Sequence, residues 1–155
     1  MRLSTKSRYG VRALFDMAYT SGTLPVQIKD ISRRQKISPR YLEQIFQCLK
    51  KAGILKSERG RHGGYSLAKN PEQITIGEII EAAEGDTLLV DCLDEKKGKR
   101  NPCKLNGCCV TQTVWMEAAE TLKDYLAQTT LKMLCERAHS MGISKETDHR
   151  YMYYI

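Results

Sequence analysis

The chain has 155 residues, 41% of them hydrophobic, the length of one globular domain or of one small domain with an appendage. No apolar run approaches the roughly 18 residues of a membrane span, and the N-terminus MRLSTKSRYGVRALF has no signal-peptide core, so no membrane partner and a cytoplasmic location are expected. The net charge of +7 divides unevenly: residues 1–69 carry 15 Lys/Arg against 4 Asp/Glu, a balance of +11, and residues 70–155 carry 10 against 14, a balance of −4, which points to a polyanion-binding module joined to something else.

A first helix is expected from Ser4 or Thr5 to about Thr20, with Val11, Leu14, Phe15 and Ala18 on one stripe. Gly22 and Pro25 break it, and a short second helix follows over Val26–Gln35. Ser38-Pro39 then opens a third. Serine is a good N-cap, and proline suits the first helical position because its missing N–H would be unpaired there anyway. That helix, about Pro39–Ala52, should bury Leu42, Ile45, Phe46 and Leu49 and stop at Gly53. The outer face of this helix shows Arg40, Glu43, Gln44, Gln47 and Lys51, all able to reach phosphates or base edges. Three short helices with a tight turn before the third make a helix-turn-helix.

Ile54-Leu55 and Tyr65-Ser66-Leu67 read as two strands, with Gly60, Gly63 and Gly64 allowing positive backbone angles in the loop and Arg59, Arg61 and His62 at its tip. A hairpin after a helix-turn-helix is a wing, and a basic tip suits a minor groove. Ser38, Arg40, Glu43, Gln44, Arg59 and Arg61 are the candidate DNA contacts on a double-stranded operator. Glu43 is instructive: phosphate repels a carboxylate unless it accepts a hydrogen bond from a base such as cytosine N4.

Thr75-Ile76-Gly77-Glu78 has capping-box spacing and should start a helix to about Glu84, with Ile76, Ile79, Ile80 and Ala83 inward and Gly85 at its end. The polar stretch DCLDEKKGKRNPCKLNGCC follows, holding Cys92, Cys103, Cys108 and Cys109. Four thiols on one loop of a cytosolic chain point to a soft metal centre: an iron–sulfur cluster, zinc or thiol redox sensing. The spacing is not the paired CxxC of a zinc ribbon. Cys48 and Cys135 read as small packed residues. A long helix over about Thr111–Gln128 carries the stripe Val114, Ala118, Leu122, Tyr125 and Leu126, and a short last helix holds Leu131 and Leu134. The expected fold class is mainly α with a small β-hairpin wing. The expected domains are 1–70 (winged helix-turn-helix), 71–138 (connector helix, cysteine loop 92–109, long helix) and 139–155 (tail). No phosphate-binding glycine loop and no nucleophile with an evident base occur, so an enzyme is not expected and no catalytic residue is named.

RLSTKSRYGVRALFDMA, Asp30–Ser32, YLEQIF of Tyr41–Phe46 and RGRHGGY of Arg59–Tyr65 together resemble the Rrf-two family of bacterial winged-helix transcription regulators, its iron–sulfur cluster regulator (IscR) type above all, over about residues 1–137. The resemblance implies a homodimer held by the long helix as dimerisation helix, two recognition helices in successive major grooves, base reading by Glu43 and Gln44, and Arg59 in the minor groove. It also implies a 2Fe–2S cluster on three cysteines and a histidine. The last family cysteine stands six residues before a tryptophan, as Cys109 does before Trp115, so the resemblance selects Cys92, Cys103 and Cys109; the family histidine position is Gln112 here, a departure for which Cys108 is the obvious substitute, with another group or a different cluster as alternatives. The implied role is a repressor of iron–sulfur cluster biogenesis genes. The tail Tyr151-Met152-Tyr153-Tyr154-Ile155 resembles the end of CymR-type members, which repress cysteine-metabolism genes with cysteine synthase, so Tyr154 and Ile155 are candidate partner-binding residues for that enzyme. A further alternative is a metal-binding interaction protein that does not bind DNA.

Overall fold

The computed structural model describes residues 3–60, 63–85, 90–93, 103–105 and 108–145. Its elements are α1 (Thr5–Ser21), α2 (Ile28–Gln35), α3 (Pro39–Lys51), β1 (Leu55–Glu58), β2 (Gly64–Leu67), α4 (Ile76–Glu84), α5 (Val110–Gln128) and α6 (Leu131–Ser140), with 3-10 turns at Pro71–Gln73 and Asp91–Leu93. The expected elements are present, mainly α with one antiparallel hairpin.

Helix ends follow local chemistry. Ser4 Oγ accepts from the N–H groups of Lys6 and Ser7 and starts α1. Thr75 and Glu78 form the reciprocal capping box of α4, at 3.1 Å and 2.9 Å. Lys36, the one non-glycine with positive φ among the described residues, ends α2 in the left-handed region. The turn into α3 is then closed by Ser32 Oγ donating to Ile37 O at 2.6 Å.

One apolar core joins α1, α2, α3, α4 and α6 to the base of the hairpin. Leu14, Ile31, Leu42, Ile45, Phe46, Leu49, Ile79 and Leu131 are fully buried in it. Each such side chain contributes about 1.5–3 kcal/mol of transfer free energy. On α1 the inward stripe is rotated from the expected one. Gly10, Ala13, Leu14 and Met17 are buried, while Val11, Phe15 and Ala18 are half-buried at its edge. Small residues let α1 cross α3 and α4 closely, and a Cβ built on Gly10 would lie 3.5 Å from both Ile45 Cγ2 and Ile79 Cγ2.

The hairpin pairs Leu55 with Leu67 through Glu58 with Gly64, and Val26 adds a third edge by exchanging two backbone hydrogen bonds with Tyr65. Of the three wing glycines only Gly60 has the expected positive φ. Gly63 and Gly64 are needed for another reason: a Cβ there would sit 2.3 Å from Glu58 O and 2.4 Å from Val26 O.

At the other end, Ile76 N–H donates to Thr129 O and Leu131 N–H to Ile74 O, tying the start of α4 to the α5–α6 junction. The expected α5 stripe is only partly covered. Leu122 and Leu126 are half-buried, but Val114, Ala118 and Tyr125 are exposed and no residue of α5 is buried. Among the described residues, no helix is long and apolar enough to cross a membrane.

Candidate nucleic-acid interface and cysteine connector

The third helix presents its polar face as the sequence anticipates. Ser38 Oγ accepts from Tyr41 N–H at 3.4 Å, so its visible role is the cap that sets where α3 begins. Arg40, Glu43, Gln44 and Gln47 are exposed, and among the described residues Arg40, Glu43 and Gln44 have no hydrogen-bond or ion-pair partner. Side chains left uncommitted on an exposed helix face are available to a groove. Arg59, at the end of β1, is likewise exposed and unpaired. Arg61 and His62 lie outside the described residues.

The wing is fixed to α3 from both sides. Phe46 meets the Tyr65 ring edge-on at 5.0 Å, and Lys50 Nζ donates to Ser57 Oγ at 2.7 Å. Two side-chain contacts therefore tie α3 to the wing. Behind it, Asp16 of α1 holds Arg34 of α2 in a buried two-pronged ion pair, and Gln35 Nε2 adds a 2.9 Å hydrogen bond to the same carboxylate. Sequence reading passed over this brace, although an acid between Ala13 and Met17 on the inward stripe was its signal.

Two further contacts tie the N-terminal end of α1 to α4 and α3. Glu84, the last residue of α4, accepts from Ser4 N–H at 2.9 Å, a carboxylate at the positive end of α1. Although partial burial pushes its pKa upward, the neighbouring Ser4 and Ser7 donors outweigh this and hold its carboxyl below the ordinary value. Lys6 Nζ then lies 3.1 Å from Cys48 Sγ of α3, so Cys48 is a half-buried side chain with a polar neighbour rather than a plain core residue. Cys135 is half-buried on α6, and burial raises its thiol pKa.

The connector begins one residue after Gly85, which ends α4 with φ +81°. Cys92, Cys103 and Cys108 are exposed and Cys109 is half-buried at the N-terminal end of α5. Among the described residues no three Cys, His, Asp or Glu side chains are gathered as a metal site. The donor chemistry nevertheless fits a soft centre. The Cys109 thiol pKa is lowered, chiefly by the Thr111 hydroxyl at 3.2 Å and also by the Gln112 N–H. Cys108, Cys109 and Gln112 line a depression of about 360 Å³ that also touches Met116. Met116 borders a second groove of about 410 Å³ between α4 and α5, into which Leu93, the neighbour of Cys92, also faces. Residues at both ends of the connector thus line depressions that Met116 borders.

A helix-turn-helix with a braced wing, an uncommitted polar face on its third helix and a strongly basic residue balance over residues 1–69 is the architecture of a DNA-binding module. Residues 3–137 match the Rrf2 family model, described as iron-dependent transcriptional regulator, and the chain belongs to that family. It is 42% identical over 139 residues to protein rrf2 of Nitratidesulfovibrio vulgaris, covering 89% of each chain. It is 36% identical over 148 residues to the HTH-type transcriptional regulator IscR of Pectobacterium atrosepticum, covering 96% of this chain and 87% of that one. Among solved structures it resembles T. potens IscR, with TM-score 0.72, 34% identity and 99% and 97% of the two chains covered. It also resembles CymR, the global cysteine regulator of B. subtilis, with TM-score 0.71, 32% identity and 88% and 98% covered. Family membership sets aside the alternative of an interaction protein that never reads DNA.

Proposed function

We propose that this chain is a homodimeric repressor of iron–sulfur cluster biogenesis genes that senses cluster status through a cluster, 2Fe–2S in type, held by Cys92, Cys103, Cys109 and Cys108. The carrying observation is the placement of four thiols on one connector, between the DNA-reading module and the long helix, in a chain similar to IscR proteins. When bound, such a cluster supplies an iron- and oxidant-sensitive centre that demands thiolates. The Cys109 thiol pKa is lowered by its Thr111 and Gln112 neighbours, and Leu93 seats the Cys92 end of the connector against α5.

Gathering the thiols would restrain the chain that leaves Gly85. Glu84 would pass that restraint to the Ser4 end of α1, which crosses the recognition helix at Gly10 and Lys6. A signal needs different affinity for the cluster in the two DNA-binding states. The homodimer is supported by α5, whose Val114, Trp115 and Tyr125 stand 55%, 43% and 56% exposed on a helix with no buried residue. In the dimer, Arg40, Glu43 and Gln44 would read major grooves and Arg59 a minor groove of a two-fold operator. Anaerobic purification with a visible spectrum and iron and acid-labile sulfide counts tests the cluster. Charge-transfer bands with matched iron and sulfide are expected, and a colourless, iron-free protein after reconstitution would refute it.

A second reading is favoured by the likeness to CymR: a cysteine-metabolism repressor that works with cysteine synthase through Tyr154 and Ile155. Those two residues lie outside the described ones. The segment before them is anchored on α1, where Tyr19 Oη donates to Ile143 O at 2.6 Å and Lys145 Nζ lies 5.0 Å from the Tyr19 ring centroid. Capture of cysteine synthase that is unchanged when Ile155 is deleted would exclude docking by the terminal isoleucine.

A further inference from the structure

Residues 1–69 hold four acidic side chains, Asp16, Asp30, Glu43 and Glu58. Asp16 is buried against Arg34 and Asp30 is half-buried, so the exposed acids of the basic module are Glu43 and Glu58. Glu43 has a reading role on α3. Glu58 has none assigned, and it stands beside Arg59 where β1 runs into the wing loop.

Its geometry is specific. Ser66 Oγ, fully buried, donates to Glu58 Oε1 at 2.8 Å, and Lys56 Nζ lies 3.4 Å from the same oxygen. Lys56 and Ser66 are directly opposite partners across the hairpin, and Glu58 is two residues beyond Lys56, so all three side chains share one face. An exposed Lys–Glu pair alone is weak and interchangeable. The hydroxyl from beneath removes that freedom and fixes the carboxylate at one place on the wing. The Ser66 hydrogen bond also holds the Glu58 carboxyl below its ordinary value of 4.5, so it is ionised at neutral pH.

We propose that Glu58 is a specificity-determining residue of the DNA interface: clamped by Ser66, it occupies Lys56 and repels phosphate, so that wing engagement depends on Arg59 entering a groove. Affinity from backbone charge is the same for every sequence, and a fixed negative charge beside the wing loop lowers that background. Arg59 remains the unpaired wing cation among the described residues, and its contact is the one that a groove of the right shape rewards. This rests on DNA reading by the wing and is independent of any cluster.

Glu58→Gln keeps the acceptor for Ser66 and removes the charge. The test titrates wild type and variant with two duplexes of equal length, one selected from a random pool by the wild-type protein and one scrambled, over a range of salt. Glu58→Gln should bind the scrambled duplex roughly 3–10-fold tighter at low salt, with a log–log salt slope steeper by about 0.9 per freed Lys56. Binding to the selected duplex should change less, so the ratio between the two falls. Lys56→Gln added to Glu58→Gln should reverse the gain. Thermal melting checks that each variant is folded. A folded Glu58→Gln protein with unchanged scrambled-duplex affinity and slope overturns the proposal, as does an equal gain on both duplexes.

Discussion

Asp16 and Arg34 face each other inside the helix-turn-helix, 4% and 8% exposed, with Arg34 Nε 3.0 Å from both carboxylate oxygens and Nη2 2.7 Å from Oδ2. The pair fixes the angle between α1 and α2, on which the placement of α3 depends. Burying two charges costs desolvation, so the pair specifies geometry more than it adds net stability. Removing one partner is another matter. Asp16→Ala strands the guanidinium and should cost about 3–5 kcal/mol. Replacing both with apolar residues, Asp16→Leu with Arg34→Met, should recover most of that loss. Urea denaturation at fixed protein concentration measures both.

Two glycines with different surroundings should respond oppositely to alanine. At Gly64 the new Cβ would meet Val26 O at 2.4 Å, against backbone that cannot swing away, and would break the Val26–Tyr65 bridge. A loss of about 2–4 kcal/mol is expected, with weakened operator binding. At Gly10 the Cβ meets two methyl groups at ordinary contact distance inside a helix, so Gly10→Ala should be neutral or stabilising by about 0.5–1 kcal/mol. Paired melting curves separate the two.

The α4 capping box gives a pH dependence with a definite sign. The Glu78 carboxyl is held below its ordinary value of 4.5, first by the Thr75 N–H and also by Lys69. A depressed carboxyl contributes stability that is complete above its unfolded pKa and is lost as pH falls through the lower folded one. Melting temperature measured from pH 7 downwards should therefore fall below about 4.5, and less steeply in Glu78→Gln. Thr75→Ala, which removes the reciprocal bond, should cost about 1 kcal/mol near neutral pH.

The exposed face of α5 predicts its own behaviour. Trp115→Glu, on a side chain 43% exposed, should leave the folded protomer intact and weaken self-association, seen as a smaller species in sedimentation at equal concentration. An unchanged oligomer would assign the interface elsewhere.

Much of this was legible in the residues. Ser38-Pro39, the Thr75–Glu78 capping box and the Leu42, Ile45, Phe46 and Leu49 stripe announced their elements because caps and helical periodicity are local. The rest depends on distant partners. Nothing in the order of residues says that Glu84 reaches Ser4, 80 positions away, or that Gly64 serves a close approach to Val26 rather than a positive φ. The stripe on α5 was visible, but periodicity does not tell whether a stripe is covered by the same chain. The candidate ligands Cys92, Cys103, Cys108 and Cys109 stand out by type and spacing, and spacing alone does not bring thiols together.

The most direct test of cluster-dependent repression is an anaerobic titration of the selected duplex with one preparation, before and after its iron is removed by chelation. A change of tenfold or more in affinity, about 1.4 kcal/mol, is expected, and it should vanish when Cys92 and Cys109 are replaced by alanine. Equal affinity with and without iron, in a protein that demonstrably carried the cluster, would contradict the account.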